Sequence, residues 1–456
     1  MENKPKHRDS DYSIVEETGM KLGKAPTALR VPGISDEALR ETERLCARDY
    51  LEHHVFFNHI QFHNHCIYHL LASLSLGATQ KRLREIYDLN ITLQRPLLEP
   101  VPGVTITKAN MHEYLGKEEF YPNYIEFFRC EIGAEGGDWR SVLVRYMFDN
   151  EIYPLVFSGL IHPLIHIGLS IEFESALLIA MSLAQACIHS PMFRTTFSAD
   201  VIETTIDDQP LMKILENIRG DVRVNDIPYL PMLVEDVPVC EQVALDYLQQ
   251  WKVSPTEECI ALKYRELQCV IALLYGATTP HGYRNQYEFS LMHLLTSSYF
   301  VTMVLGVLTV EQQVRVLRSY VFVVLRYYAI GHCPQFYRID EVAADDISFA
   351  TGDEYCSDKQ WKMVFAKAIQ NDDMHIAKAV HALWYGSILN HNAPPAPADY
   401  QMPPSINWLL LAQNTVECID MSSYEDEDEQ FMAGKRGWSR GKIGFSQHWK
   451  QSGEKL

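Results

Sequence analysis

Long stretches with apolar residues at every third or fourth position, and with few glycines or prolines, dominate this chain. They lie at about 138–172, 174–190, 241–251, 256–276, 286–330 and 359–387. This spacing gathers the apolar residues on one face of an α-helix. The best strand candidate, residues 101–108, stands alone, and residues 222–239 are interrupted by prolines. The sequence therefore predicts an all-α fold without a parallel sheet.

Helix-capping residues predict a helical hairpin near the start of the folded body. Ser35 precedes Glu37 and an apolar-spaced run, as an N-cap residue does. Residues 70–76 form an apolar stretch that ends at Gly77, and Thr79 then stands before KRLREIYDL as a second N-cap. We therefore expect helices on both sides of Gly77.

The chain is expected to form one large helical domain with two irregular ends. Its 456 residues are enough to bury a large core. Residues 1–34 mix charges with glycines and prolines and predict an N-terminal arm. Residues 35–420 form the predicted helical domain. Residues 421–456, an acidic run followed by a basic tail, are expected to pack on it.

Charge and cysteine content limit the possible partners and compartments. The formal net charge of -19 argues against binding to nucleic acid or anionic membranes. Ten cysteines without a CxxC pair, and a charged N-terminus, favour reduced thiols and a cytoplasmic location. The uncharged run from Phe289 to Val310 is interrupted by His293 and several hydroxyl residues, which predicts a buried helix rather than a membrane span. The oligomeric state stays open.

Two pairs of histidines have a four-residue spacing within apolar, helix-like sequence. His65 and His69 lie in FHNHCIYHLL, and His162 and His166 lie in HPLIHIGLS. Residues four apart share a helix face, so the ring nitrogens of each pair can converge on one ion. An unsatisfied buried polar group costs about 1–3 kcal/mol, and a metal satisfies several nitrogens at once. The pairs predict a shared metal site.

A third motif, HIAKAVHAL, places His375 and Lys378 three residues apart on one predicted helix face. A lysine at a metal site requires an uncharged amine, which either binds directly or takes up carbon dioxide as a carbamate ligand. Otherwise its side chain points away. The imidazole-rich, oxygen-poor set suits iron, zinc or copper. In the alternative interpretation these histidines only cap helices or pack in the core.

Three motifs in the same order resemble the fungal questin oxidase-like family. They are FHNHCIYHLLASLSLGAT at 62–79, HPLIHIGLSIEF at 162–173 and HIAKAVHAL at 375–383, and the tail GWSRGKIGFSQHW is similar to the family's C-terminus. The resemblance implies oxidative opening of an anthraquinone ring, such as that of questin, in polyketide pathways. It leaves two mechanisms open, a Baeyer-Villiger-type reaction with NADPH and iron-dependent dioxygen chemistry.

For the iron mechanism, the resemblance implies a mononuclear non-haem centre of histidines with a carboxylated lysine. Carried over by motif, the metal ligands are His65, His69, His162, His166, His375 and Lys378. Three or four imidazoles suffice beside a lysine carboxylate and an open position for dioxygen, so at least one histidine is expected to support a ligand or bind substrate. Tyr68 stands where relatives tend to have a histidine and is the candidate catalytic residue for substrate hydrogen bonding.

The resulting hypothesis is an oxygenase in which iron(II) and dioxygen cleave a polycyclic aromatic quinone to a benzophenone. NADPH is a possible further cosubstrate. One alternative is a metal-free, NADPH-dependent Baeyer-Villiger oxidase, although the glycine cluster at 133–138 lacks the GxGxxG spacing of a dinucleotide fold. Another is a noncatalytic helical binding protein whose histidines are core polar groups.

Overall fold

The computed structural model describes residues 12–23, 30–190, 204–230, 237–343, 354–419, 438–440 and 443–451. The helices of the first half are α1 (Ser13–Thr18), α2 (Asp36–Glu52), α3 (Cys66–Ser75), α4 (Gln80–Ile91), α5 (Tyr121–Ala134), α6 (Trp139–Met147), α7 (Tyr153–Val156), α8 (Ser158–Glu172) and α9 (Ala176–Ile188). Those of the second half are α10 (Leu211–Arg219), α11 (Pro238–Leu248), α12 (Glu257–Gly276), α13 (Phe289–Leu305), α14 (Val310–Ile330), α15 (Ile339–Val342), α16 (Glu354–Gln370), α17 (Ile376–Asn392), α18 (Trp408–Cys418) and α19 (Ser446–Gln451). Short 3-10 turns lie at Met111–Tyr114, Glu118–Phe120 and Val222–Val224.

The predicted all-α class is confirmed. Over the described ranges, extended pairing is limited to isolated bridges. The strand candidate at 101–108 is wrong, because that segment forms turns and loop. A run of β-branched residues does not make a strand when no neighbouring segment offers a backbone partner. The division into 1–34, 35–420 and 421–456 stays a prediction.

The hairpin around Gly77 is confirmed, together with its caps. The Ser35 side chain accepts a hydrogen bond from the backbone N–H of Ala38, and the Thr79 side chain accepts one from Arg82. Gly77 has a φ of 96°, in the left-handed region that favours glycine. The backbone therefore reverses between α3 and α4, and both helices pack against α2.

Four helices surround the centre of the molecule. Helix α13 packs on α8, α12 and α17, while α3 packs on α17 and α8. Helices α8 and α13 approach each other closely at Gly168 of α8, because a Cβ there would overlap the Cβ of Phe300 on α13. Helix α13 is buried, as its sequence predicts. No helix in the described ranges has the length and apolarity needed to cross a membrane.

Glu41 of α2 is a buried carboxylate that joins α2 to α4 and to the start of α1. It accepts hydrogen bonds from Arg44 and Arg84 at 2.6 and 2.9 Å, and from the Tyr12 hydroxyl at 2.6 Å. Burial alone would raise the pKa of Glu41, but these donors outweigh it and lower the pKa to about 2. The network therefore stabilises the fold while Glu41 is ionised.

We expect unfolding experiments to show this contribution as a pH dependence. A carboxyl group whose pKa is depressed in the folded state stabilises the fold above its unfolded value, and that stabilisation disappears as the pH falls from about 4.5 to about 2. Glu41→Gln should lower the free energy of unfolding at pH 7 by about 1–3 kcal/mol, because the buried Arg44 guanidinium loses its charged acceptor at 2.6 Å. Urea unfolding at pH 7 and pH 3 measures both effects. The matched control is Glu37→Gln, an exposed residue of α2, and equal stability of the two variants would contradict the prediction.

Candidate metal centre

Three histidines from different parts of the chain converge inside the four-helix centre. His65 directly precedes α3, His293 lies in α13, and His375 directly precedes α17. All three are buried, and one ring nitrogen from each lies within 4.8 Å of the others. This spacing is typical of imidazoles that share a metal ion.

Hydrogen bonds fix the orientation of each ring in this group. The Nδ1 of His65 lies 2.6 Å from the carbonyl oxygen of His63, and that of His293 lies 2.8 Å from the carbonyl oxygen of Phe289. A carbonyl oxygen only accepts, so in both rings Nδ1 must carry the proton. In the neutral imidazole, Nε2 then holds a lone pair that is available to a cation.

His375 is oriented by a carboxylate rather than a carbonyl. Its Nδ1 lies 3.2 Å from Asp373 Oδ1, which also accepts the His375 backbone N–H at 2.7 Å. Burial would raise the pKa of Asp373, but its contacts with His375 and the Trp438 indole lower the pKa, which keeps the acid ionised. A carboxylate behind a histidine is a common arrangement at metal sites. The Nε2 atoms of His293 and His375 have no hydrogen-bond partner among the described residues.

His162 extends the group from α8. Its Nε2 lies 3.0 Å from the Nε2 of His65, while its Nδ1 donates to the carbonyl oxygen of Gly159 at 2.6 Å. Both facing nitrogens therefore hold lone pairs, and two lone pairs at this distance repel unless a cation or a proton lies between them. A cation bound between these two nitrogens would relieve that repulsion.

A strained turn holds His162 in place. Gly159, Leu160 and Ile161 have φ values of 54°, 53° and 65°, and such left-handed values are uncommon for branched residues. A Cβ at Gly159 would overlap the ring of His189 and approach that of His63. Sequence reasoning did not predict this turn, because the surrounding segment has uniform helical spacing.

His63 and His189 form a separate pair beside the centre. Their Nε2 atoms lie 3.1 Å apart, and His189 Nδ1 lies 3.3 Å from the carbonyl oxygen of Ser190. With the proton of His189 on Nδ1, its Nε2 accepts from His63, so the pair satisfies itself without a metal. The His63 ring stacks on that of His162, with centroids 4.0 Å apart. The stacked His63 ring therefore helps to hold the His162 ring in its orientation.

Two of the predicted ligands, His166 and His69, form hydrogen bonds to polar side chains of neighbouring helices. His166 donates from Nδ1 to Gln185 Oε1 at 2.7 Å, which leaves a lone pair on its Nε2. His69 Nδ1 lies 3.2 Å from Asn90 Nδ2, which also donates to a backbone carbonyl, so this ring accepts at Nδ1. The Nε2 atoms of both rings are buried and without a hydrogen-bond partner in the described part of the chain. Neither belongs to the group within 4.8 Å.

Lys378 and Tyr68 lie next to each other at this centre. The Lys378 Nζ lies 5.5 Å from the centroid of the Tyr68 ring and has no hydrogen-bond partner among the described residues. Burial lowers the pKa of Lys378 to about 7, so much of the amine is uncharged near neutral pH. The Tyr68 hydroxyl donates to Gln185 Oε1 at 3.0 Å, and burial raises the pKa of Tyr68. Tyr68 is therefore a neutral phenol.

Burial keeps the imidazoles uncharged. It lowers the pKa values of His65, His162 and His293 well below the ordinary value, and nearby imidazoles and Lys378 lower them further. Burial also lowers the pKa of His375 to about 4, against the opposite effect of Asp373. Metal ions bind neutral imidazole, so the centre is in the protonation state that a metal requires.

Comparison with known proteins places the chain in a family. A model described as questin oxidase-like matches residues 62–383, a range that contains every histidine of the centre. This chain belongs to the questin oxidase-like family. A Baeyer-Villiger oxidase of Emericella nidulans is 29% identical to it over 77% of this chain and 82% of the relative. The questin oxidase of Aspergillus fumigatus is 25% identical over 91% of this chain and 94% of the relative.

A further relative, a Baeyer-Villiger oxidase of Paecilomyces divaricatus, is 26% identical over 93% of each chain. Because these relatives are oxidases and the alignments cover most of both chains, this member of the questin oxidase-like family is an oxidoreductase. The resemblance stated from the sequence motifs is confirmed.

The structure of this questin oxidase-like protein brings together only part of the residue set suggested by its motifs. His65 and His375 lie in the convergent group, and His162 contacts His65. His69 and His166 do not belong to that group, and Lys378 lies close enough to lower the pKa of His65. The third member, His293, was not among the predicted ligands. Its signal in the sequence was a histidine in an otherwise uncharged apolar run, a feature that also argues against a membrane span.

Proposed function

We propose that this chain is an oxygenase of fungal polyketide metabolism that opens the ring of an anthraquinone, in its two-electron-reduced hydroquinone form, to a benzophenone-type product with iron(II) and dioxygen. The observation that carries the proposal is the contact between the Nε2 lone pairs of His65 and His162, beside the unpartnered nitrogens of His293 and His375. Family membership supports the oxidative reaction class.

The residues fit a metal ion by their chemistry. Buried acceptors without partners are destabilising, and a cation satisfies all of them together. An imidazole-rich set suits iron, zinc or copper, and iron(II) would supply the one-electron chemistry that ground-state dioxygen requires. We assign the metal to His65, His293 and His375, with His162 as the neighbouring ligand. His69, His166 and Lys378 remain candidates for a ligand or a supporting role.

Lys378 and Tyr68 have distinct proposed roles. The uncharged fraction of the Lys378 amine is free to bind the metal or to react with carbon dioxide to form a carbamate. The Tyr68 ring lies 5.7 Å from that of His65 and forms a wall of the centre. Its proton is directed at Gln185, so Tyr68 offers its oxygen as an acceptor to a phenolic substrate. In this proposal Tyr68 orients the substrate and does not act as an acid.

The substrate position is assigned to the histidine centre and not to the large surface groove. That groove has a volume of about 1000 Å³ and lies between residues 97–108 and 122–131. None of the histidines of the centre lines it. Its lining includes acidic side chains such as Glu99 and Glu126, which suit neither a phenolate nor an anionic quinone.

The names of the relatives favour a Baeyer-Villiger oxidase as a second candidate. In the form considered from the sequence, this enzyme uses NADPH and no metal. In that reaction an oxygen atom is inserted beside a carbonyl group, with NADPH as the reductant. A convergent group of buried histidines has no evident role in such a mechanism. The two candidates therefore differ in their requirement for metal and for NADPH.

We expect the purified protein to contain one iron per chain and to open a questin-type anthraquinone that has first been reduced to its hydroquinone, with dioxygen and without NADPH, because the hydroquinone carries the two electrons that the reaction needs. Metal analysis and single-turnover assays, with and without a chelator and NADPH, measure this. Chelation should abolish turnover, and iron(II) should restore it. A metal-free protein that turns over fully in chelator would overturn the proposal, and an absolute NADPH requirement would favour the second candidate. Full iron occupancy in Lys378→Ala would remove the lysine from the ligand set.

A further inference from the structure

Three residues near the C-terminus, 438–440, connect two of the helices that carry the histidine group. We propose that this segment completes the metal centre and that Trp438 is the positioning residue for His375. The inference rests on the proposed metal site and adds a part of the chain that lies far from the histidine motifs in sequence.

Trp438 contacts His375 through the Asp373 carboxylate. The Trp438 indole N–H donates to Asp373 Oδ2 at 3.1 Å, while Asp373 Oδ1 accepts from the ring and backbone of His375. Trp438 is buried, and its ring centroid lies 6.2 Å from that of His375. Both carboxylate oxygens are therefore occupied, one by the tryptophan and the other by the histidine.

Ser439 makes the corresponding connection to α13. Its backbone N–H donates to the carbonyl oxygen of Tyr287, and its carbonyl oxygen accepts the backbone N–H of Phe289, both at 2.7 Å. Phe289 is the first residue of α13, and its own carbonyl oxygen orients the ring of His293. The segment thus fixes the start of the helix that presents the histidine missing from the sequence motifs.

Trp438 can position His375 because it supplies the donor to one of the two Asp373 carboxylate oxygens, while His375 supplies the donors to the other. A carboxylate held by donors on both oxygens has one orientation, and it holds the imidazole with Nδ1 protonated and Nε2 directed at the metal. Without the indole N–H, one buried oxygen lacks a partner and the carboxylate is free to rotate toward another donor. The His375 ring then no longer has a single orientation, and the metal loses a preorganised ligand.

The test is Trp438→Phe, which keeps an aromatic ring and removes the N–H donor together with one ring of the indole. Cobalt(II) is titrated into the metal-free, full-length protein and followed by its visible absorption spectrum. We expect wild type to bind cobalt(II), and Trp438→Phe to bind it about 10-fold to 100-fold more weakly. The matched control is Trp449→Phe, because the Trp449 indole N–H donates to the carbonyl oxygen of Ile443 and not to Asp373.

A double-variant cycle separates positioning from general packing. Asp373→Asn should weaken cobalt(II) binding, and Trp438→Phe should add little in that background, because the pathway through the carboxylate is already broken. Equal affinity of wild type, Trp438→Phe and Trp449→Phe would overturn the inference and leave the metal site intact. Additive losses, or an equal loss in Trp449→Phe, would also overturn it. A wild-type protein that binds no cobalt(II) or iron(II) would overturn the proposed function and this inference together.

Discussion

Replacing His293 with alanine is expected to weaken iron(II) binding at least about 100-fold and to abolish ring opening. His293 provides one of the three convergent nitrogens, and its Nε2 has no other partner in the described structure. Isothermal titration of iron(II) under anaerobic conditions measures the affinity, and single-turnover assays measure the reaction.

The control for this substitution is His59→Ala, since the His59 side chain is 91% exposed and lies outside the centre. It should leave both quantities unchanged. His166→Ala gives a sharper comparison, because His166 was predicted by motif but lies outside the convergent group. We expect it to lose less affinity than His293→Ala. The assignment of His293 is contradicted if His293→Ala binds iron(II) as tightly as wild type.

Gly168→Ala is expected to destabilise the fold by about 1–3 kcal/mol and to weaken metal binding as well. The added Cβ would overlap the Cβ of Phe300, which cannot rotate away because it is fixed to the backbone of α13. Helices α8 and α13 must therefore separate, which moves His162 away from His293. Thermal unfolding of the metal-free protein and iron(II) titration measure the two effects.

Gly133→Ala in α5 is the matched control. A Cβ at Gly133 meets no atom within 4 Å, and its backbone is helical. Alanine there is expected to be neutral or to stabilise the protein by about 0.4–1 kcal/mol, since it reduces the freedom of the unfolded chain. If both glycine variants have the same stability and metal affinity, the close packing of α8 on α13 does not position the centre.

The local structure of this protein is largely determined by its sequence. Apolar spacing fixed the helical class, and Ser35 and Thr79 cap helices where their side chains predict, because capping depends on only a few consecutive residues. The segment 101–108 was misjudged, since a strand exists only if another segment pairs with it. Burial of the uncharged helix after Phe289 also followed from composition.

The membership of the histidine group depended on the tertiary structure. A four-residue spacing puts two side chains on one helix face, but it does not specify which neighbour that face contacts. Thus His69 faces Asn90 and His166 faces Gln185, although each shares a helical motif with a member of the centre. His293 joins His65 and His375 from more than eighty residues away, because α13 packs between α8 and α17. Sequence alone thus determined that the histidines are buried in helices or directly before them, while only the packing of those helices decided which ring nitrogens meet.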